Sequence, residues 1–144
     1  MNSQEGWRKT KMAPDKLWVY FNPNPRELDT NDCVIRALCA VTGKDWYEVF
    51  DACCKLAREN ATMPNNNRLS IKRCELFGLE PRVVPKPKKG EKSLTVQSFC
   101  KQHPVGKFIL STAKHNLAVI DGKYYDTYKN YGQKVYKYYE KVGD

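Results

Sequence analysis

The chain has 144 residues, of which 41% are hydrophobic and 12% are aromatic, and its formal net charge is +9. This length suits one domain with one core, and this composition excludes an intrinsically disordered chain. The basic residues are spread along the chain without an Arg-rich stripe. They favour a solvated basic surface, with nucleic-acid binding as the less favoured alternative.

The first 16 residues are polar and basic, and they are predicted to form a flexible segment ahead of a single domain at residues 17–144. They lack the apolar stretch of a secretory signal, and no run approaches the roughly 20 apolar residues of a transmembrane helix. A cytoplasmic protein without a membrane partner is therefore expected. In that reducing compartment its six cysteines are expected to be free thiols.

The domain is predicted to begin with a short strand at residues 17–21 and a helix at residues 32–42. The polar residues 30–32 supply N-cap side chains for this helix. The helix is apolar on nearly every side except at Arg36, which is typical of a helix in the middle of a domain. Gly43 is expected to end it as a C-terminal cap.

More helices are predicted after this one. Apolar spacing indicates helices at residues 46–59 and 68–77, a short strand at residues 82–84, and a helix that Ser93 or Thr95 caps and that ends near Gln102. Four cysteines fall on apolar positions of the predicted helices and are expected to be small core residues: Cys39, Cys53, Cys54 and Cys74.

The second half of the chain is rich in strand-forming residues. Four runs have strand character: residues 107–112, 115–120, 123–128 and 134–140. The dipeptide Asp121-Gly122 between the middle two is typical of a two-residue β-hairpin loop. Helices followed by an antiparallel sheet predict an α+β fold, with the sheet at the C-terminal end.

Cys33 is the candidate nucleophile. Cysteine catalysis requires a thiolate, and a helix N-terminus lowers the pKa of a thiol through its unpaired N–H groups and the helix dipole. Cys33 lies in the first turn of the apolar helix, and none of the other five cysteines has this placement as clearly. The alternative is a structural thiol buried at a helix start. The chain has no Cys-x-x-Cys motif and two histidines, so no metal site is predicted.

A cysteine nucleophile needs a base within hydrogen-bond reach, and histidine is the usual one because its pKa lies near neutrality. His103 lies in a turn and is expected to end a helix, whereas His115 begins a predicted strand. If Asp121-Gly122 forms the hairpin loop, Leu117 pairs with Asp126, and Asp126 lies diagonal to His115 on one face. The sequence therefore predicts His115 as the base and Asp126 as the group that orients it.

A tetrahedral intermediate also needs donors for its oxyanion. The backbone N–H of Cys33 is one candidate. The side-chain amide of Asn31 is the other, and it serves either as this donor or as the helix cap.

Two patterns are specific in combination: D-C-x-x-R-A at residues 32–37 and H-x-x-A-V-x-D-G-x-x-Y-D at residues 115–126. With WVYFNPNPR, TGKDWYEV and KQHPVGKFIL, they resemble a family of small proteins from phages and phage-like regions of bacterial genomes. These proteins are similar in fold to papain-like cysteine peptidases. The resemblance extends from about residue 18 to 130. It implies a papain-like fold with Cys33, His115 and Asp126 at the triad positions.

Two positions depart from the pattern of such proteins. Papain-like sites commonly have a Gln about six residues before the cysteine as an oxyanion donor, and Glu27 stands there instead. The residue before the histidine is often Gly, and here it is Lys114. A lysine at that position either narrows the cleft or favours an acidic substrate.

The resemblance implies a papain-like cysteine hydrolase, a peptidase, isopeptidase or amidase, that acts through an acyl-enzyme and needs no cofactor. Its expected partner is a protein or peptide substrate, including a host protein, in the cytoplasm of a bacterial host. The alternative is a non-catalytic phage protein that uses the same fold to bind a host protein or a nucleic acid.

Overall fold

A computed structural model describes residues 14–143 and shows an α+β fold with four α-helices and one six-stranded sheet in that range. The helices are α1 (Cys33–Thr42), α2 (Trp46–Glu59), α3 (Ser70–Phe77) and α4 (Val96–Gln102). The strands are β1 (Trp18–Tyr20), β2 (Leu79–Arg82), β3 (Lys107–Thr112), β4 (His115–Ile120), β5 (Lys123–Asp126) and β6 (Lys137–Lys141). Within the described range, no helix combines the length and the apolar character needed to cross a membrane.

The sheet is mixed, which corrects the prediction of an antiparallel sheet at the C-terminal end. The strand order is β1-β5-β4-β3-β6-β2, and every neighbouring pair is antiparallel except β1 with β5. Parallel neighbours need a long crossover connection, and the helical half of the chain separates β1 from β5. Because β2 also lies between two helices in the chain, strands and helices interleave.

Helix α1 packs against one face of the sheet, together with α2 and α3. Its buried residues are Val34, Ile35, Arg36, Ala37, Leu38, Cys39 and Val41. Ile109 of β3 and Ala118 of β4 belong to the same hydrophobic cluster, because alternation directs their side chains to this face. Gly43 ends the helix in the left-handed region, and its N–H donates to the Cys39 carbonyl. The predicted central position of this helix is confirmed.

Helix α4 covers the opposite face. Phe99 packs there with Phe108 of β3 and Tyr124 of β5. Of the two predicted caps, Thr95 is the one that caps α4, and its hydroxyl accepts a hydrogen bond from the backbone N–H of the third helical residue. His103 ends the helix as predicted, with its ring stacked on Phe99 at a centroid distance of 3.8 Å.

The strand predicted at residues 82–84 is shifted in the structure to Leu79–Arg82. Gly78 ends α3 in the left-handed region, so the next residue already pairs with β6. Val83, a residue of the predicted strand, is 86% exposed. The early chain reversal at Gly78 therefore determines where this strand lies.

Two other regions differ from the predicted boundaries. The helix predicted at residues 68–77 begins as a short 3-10 helix at Asn67–Leu69 and becomes α-helical at Ser70. In the predicted flexible segment, residues 1–13 lie outside the described range, whereas residues 14–16 belong to a 3-10 helix, Pro14–Leu17.

The cysteines are free thiols in the described structure. Among those predicted to be core residues, Cys39, Cys53 and Cys74 are buried, and Cys54 is half-buried. Cys100 is buried in the cluster around α4.

We expect Leu38→Ala to lower the free energy of unfolding by about 3 kcal/mol, because it removes a buried side chain and leaves a cavity between α1 and the sheet. Leu38 is 2% exposed. The matched control is Leu76→Ala on α3, where the side chain is 52% exposed and the expected change is within about 0.5 kcal/mol. Urea titration followed by circular dichroism measures both, and equal losses would contradict the packing described.

Candidate functional site

Cys33 is the first residue of α1, and its side chain is half-buried. Asp32 precedes it as the N-cap residue, but its carboxylate does not cap the first turn. The carboxylate instead accepts a hydrogen bond from Trp46 Nε1 at 2.9 Å and forms an ion pair with Arg36. The N–H groups beside Cys33 therefore lack a side-chain cap, at the helix end where the dipole is positive.

His115 and Asp126 lie at the same end of the sheet. His115 is the first residue of β4 and Asp126 is the last residue of β5, and the Asp121-Gly122 loop joins the two strands as predicted. Ile120 pairs with Lys123, which is the register that the hairpin predicts. In this register His115 Nε2 lies 2.5 Å from Asp126 Oδ2, in hydrogen-bond contact.

Their position at strand ends matters because α1 and α4 cover opposite faces of the sheet. Alternation assigns His115 and Asp126 to the same face as Leu117 and Tyr124, which belong to the cluster around α4. At the end of the sheet, however, His115 also lies beside the first turn of α1, close enough to Cys33 for the two groups to shift each other's pKa values.

The contact between Cys33 and His115 shifts the pKa values of both groups. Burial raises the pKa of the Cys33 thiol, but hydrogen bonds from His115 and the Asn116 backbone N–H, with the charges of His115 and Arg36, leave it below its ordinary value. Burial lowers the pKa of His115, whereas hydrogen bonds to Asp126 and Cys33 raise it to about 9. Both shifts favour a thiolate–imidazolium pair.

The carboxylate of Asp126 is buried and held from four directions. Oδ2 accepts hydrogen bonds from His115 and, at 2.7 Å, from Asn130 Nδ2. Oδ1 accepts the Thr127 backbone N–H at 2.8 Å and lies 3.6 Å from Arg36 Nη2. These contacts fix the carboxylate in the orientation that meets the imidazole.

Sequence reasoning missed Asn130 and the role of Arg36. Arg36 carried a signal, because it is the charged residue on an otherwise apolar helix segment, and a buried charge needs a partner. Asn130 lies in a segment without regular secondary structure after β5, and nothing in its sequence context marks it.

Asn31 lies beside Cys33 but is not the helix cap. It is exposed, it has a left-handed backbone with φ 57°, and it lines the same groove as Cys33. Glu27 is exposed in a turn in which its N–H donates to the Asn24 carbonyl. Lys114 is exposed in the turn between β3 and β4 and also lines the groove.

The groove at Cys33 has a volume of about 1180 Å³. It runs from Cys33 and His115, past α3, to the loop that follows β2. This volume exceeds that of a typical small-molecule pocket, which is about 300–1,000 Å³. A groove of this size has room for a peptide segment.

Among the described residues, no three His, Cys, Asp or Glu side chains group closely enough to hold a metal ion. No protein-family model matches the chain, and neither a curated protein nor a solved structure matches it. The contacts among Cys33, His115 and Asp126 therefore carry the functional interpretation.

We expect the ring of His115 to titrate near pH 9, because its hydrogen bonds to Asp126 and Cys33 favour the charged imidazolium. Asp126→Asn removes a negative charge and should move the midpoint down toward the ordinary value of about 6.5. NMR of the histidine Cε1–H signals measures both midpoints, and His115→Gln identifies the signal. A wild-type midpoint below pH 7 would contradict the described contacts.

Arg36→Met should lower the free energy of unfolding by about 3–5 kcal/mol, because it leaves the buried carboxylate of Asp32 without its cation and removes one of the two cations beside Asp126. The matched control is Arg58→Met, at an exposed position near the end of α2, where the change should stay within about 0.5 kcal/mol. Urea unfolding at pH 7 compares the two variants. If Arg36→Met is as mild as its control, the buried ion pairs do not support this end of the sheet.

Proposed function

We propose that this chain is a papain-like cysteine hydrolase, acting as a peptidase, isopeptidase or amidase, with Cys33 as nucleophile, His115 as acid and base, and Asp126 as the orienting carboxylate. The observation that carries the proposal is the hydrogen bond between His115 and Asp126, with Cys33 beside His115 at the start of α1. A nucleophile, a base and a group that orients the base are the three parts that acyl transfer needs. The resemblance to phage-associated papain-like proteins supports the same assignment.

In the first half of the reaction, the Cys33 thiolate attacks the carbonyl carbon of the scissile amide and forms a C–S bond. The tetrahedral intermediate collapses as the C–N bond breaks, and the His115 imidazolium gives its proton to the leaving nitrogen. Free amine and an acyl-thioester on Cys33 result.

In the second half, neutral His115 takes a proton from water while the water oxygen attacks the thioester carbonyl. The C–S bond then breaks, which releases a carboxylic acid and returns Cys33 and His115 to the thiolate–imidazolium pair. The Asp126 carboxylate accepts a hydrogen bond from the Nε2–H group of His115. The other ring nitrogen, Nδ1, is therefore the one that gives a proton to the leaving group and takes one from water.

The uncapped first turn of α1 supplies the oxyanion donor in this proposal. Asp32 directs its carboxylate to Arg36 and Trp46, so the Cys33 N–H remains for the developing negative charge. The exposed amide of Asn31 is the second donor, in place of the glutamine that Glu27 replaces.

The proposed substrate is a protein or peptide, because the volume of the groove exceeds that of a typical small-molecule pocket. The phage resemblance extends this to a host protein in the bacterial cytoplasm. The six free thiols suit that reducing compartment. The covalent steps use the thiolate, the imidazole and the carboxylate, and they require no cofactor.

The alternative function is binding of a host protein or a nucleic acid without chemistry. The observation that favours it is Glu27, a carboxylate where papain-like sites have an amide donor. Under this alternative, binding survives Cys33→Ala, and Cys33 reacts as an ordinary thiol. A steep dependence of binding on salt would identify nucleic acid as the partner.

The test is the pH dependence of Cys33 alkylation by iodoacetamide, measured by mass spectrometry. Wild-type Cys33 should reach half of its maximal rate below the free-thiol pKa of about 8.5. His115→Gln should shift this midpoint up and slow alkylation at pH 6.5 by at least about tenfold, because the largest of the effects that oppose burial of the thiolate is then lost.

The protein contains its own controls for this measurement. Cys39 and Cys100, whose pKa values burial raises to about 12, should stay unmodified. His103→Gln, which changes the histidine on the opposite face, should leave Cys33 unchanged. An alkylation midpoint at or above 8.5 in the wild type would rule out the hydrolase and leave the binding function.

A further inference from the structure

The floor of the groove contains a row of polar side chains that the proposed triad does not use. Asn116 of β4, Ser111 of β3 and Lys137 of β6 are directly paired across neighbouring strands, and all three line the groove. Ser111 Oγ donates to Asn116 Oδ1 at 2.7 Å. This bond orients the Asn116 amide with its Nδ2–H₂ group available for another acceptor.

The row begins at the nucleophile. Asn116 directly follows His115 in β4, and its backbone N–H is among the groups that lower the pKa of the Cys33 thiol, so Asn116 lies next to the point where the acyl group is attached. Lys137 lies two strands away, which corresponds to about 10 Å at the usual strand spacing. An extended peptide covers that distance in about three residues.

The charges along the groove are predominantly positive, but several are already compensated. Arg36 pairs with buried carboxylates, and Arg82 pairs with Glu80 and Glu140. Arg73 is buried and donates to the backbone carbonyls of residues 64 and 66. These three arginines therefore already have partners within the fold.

Lys114 and Lys137 are exposed cations. Both line the groove, and neither forms an ion pair with a described residue. Lys114 precedes His115 in the chain, whereas Lys137 lies at the far end of the polar row. The acidic side chain that lines the groove, Asp29, lies 3.5 Å from Arg36 Nη1. Two uncompensated lysines along one cleft create a positive field that favours an anionic ligand.

We propose that the groove binds an acidic peptide segment, with the Asn116 amide on its main chain, one carboxylate near Lys114 and a second near Lys137, about three extended residues from Asn116. This inference rests on the proposed function in one respect, because it makes the acidic segment the substrate that flanks the scissile bond. The charge complementarity itself concerns binding and can be measured without turnover.

The experiment uses the Cys33→Ala protein, so that no acyl chemistry occurs, and a fluorescein-labelled eight-residue peptide containing three Glu. Its isosteric control peptide has Gln at those three positions. Fluorescence anisotropy should show tighter binding of the Glu peptide at low salt and convergence of the two peptides as salt rises. Adding Lys114→Gln and Lys137→Gln should raise the Kd of the Glu peptide by about five- to twentyfold, at the scale of two exposed charge pairs.

The control protein carries Lys101→Gln and Lys123→Gln, which remove the same net charge at exposed positions on α4 and in the β4–β5 hairpin. It should bind the Glu peptide as the parent does. Equal weakening in the two double variants, equal affinity for both peptides, or no binding of either peptide would overturn the proposal. An oligonucleotide of equal charge that binds more tightly through Lys114 and Lys137 would also overturn it, in favour of nucleic acid.

These outcomes separate the inference from the proposed hydrolase. If Cys33 alkylation shows an ordinary thiol while the Glu peptide still depends on the two groove lysines, the acidic-peptide site stands and the hydrolase fails. If Cys33 is reactive and the Glu and Gln peptides bind with equal affinity, the hydrolase stands and the acidic specificity fails.

Discussion

The Arg36 guanidinium lies between two buried carboxylates, that of Asp32 at the start of its own helix and that of Asp126 at the end of β5. A charge buried in a protein needs a partner of opposite sign, so these groups hold the first turn of α1 against one end of the sheet. The same arrangement withdraws the Asp32 carboxylate from capping. It therefore determines both where Cys33 lies and why the N–H groups beside it are open.

The pKa values of the Cys33 thiol and the His115 imidazole result from competing effects of that environment. Burial disfavours both charged forms, but the hydrogen bonds that Cys33 and His115 exchange, and the bond from His115 to Asp126, act in the opposite direction and prevail. The balance depends on geometry at the sheet end, because Leu117 and Tyr124, further along the same face as His115 and Asp126, pack in the cluster around α4. A hydrolase site is proposed from this geometry, and its chemistry depends on keeping the two charges in contact.

The groove connects this site to the rest of the molecule. Its floor is formed by the face of β3, β4 and β6 that α1 leaves uncovered at the sheet end, and its wall includes α3. Backbone pairing therefore sets the distance from Asn116 to Lys137, whereas the turn between β3 and β4 carries Lys114 next to His115. Proposed reaction and proposed specificity thus depend on the same strand register.

Local sequence was sufficient where short-range physics decides the outcome. Apolar periodicity and Gly43 predicted α1, and Asp121-Gly122 predicted the hairpin register that brings His115 to Asp126. Pairings between distant segments were not predictable in this way. The parallel contact of β1 with β5 changed the sheet type, and the contacts of Arg36 and Asn130 with Asp126 were missed. Such contacts depend on which buried polar groups meet after the chain has packed, and no local pattern encodes that meeting.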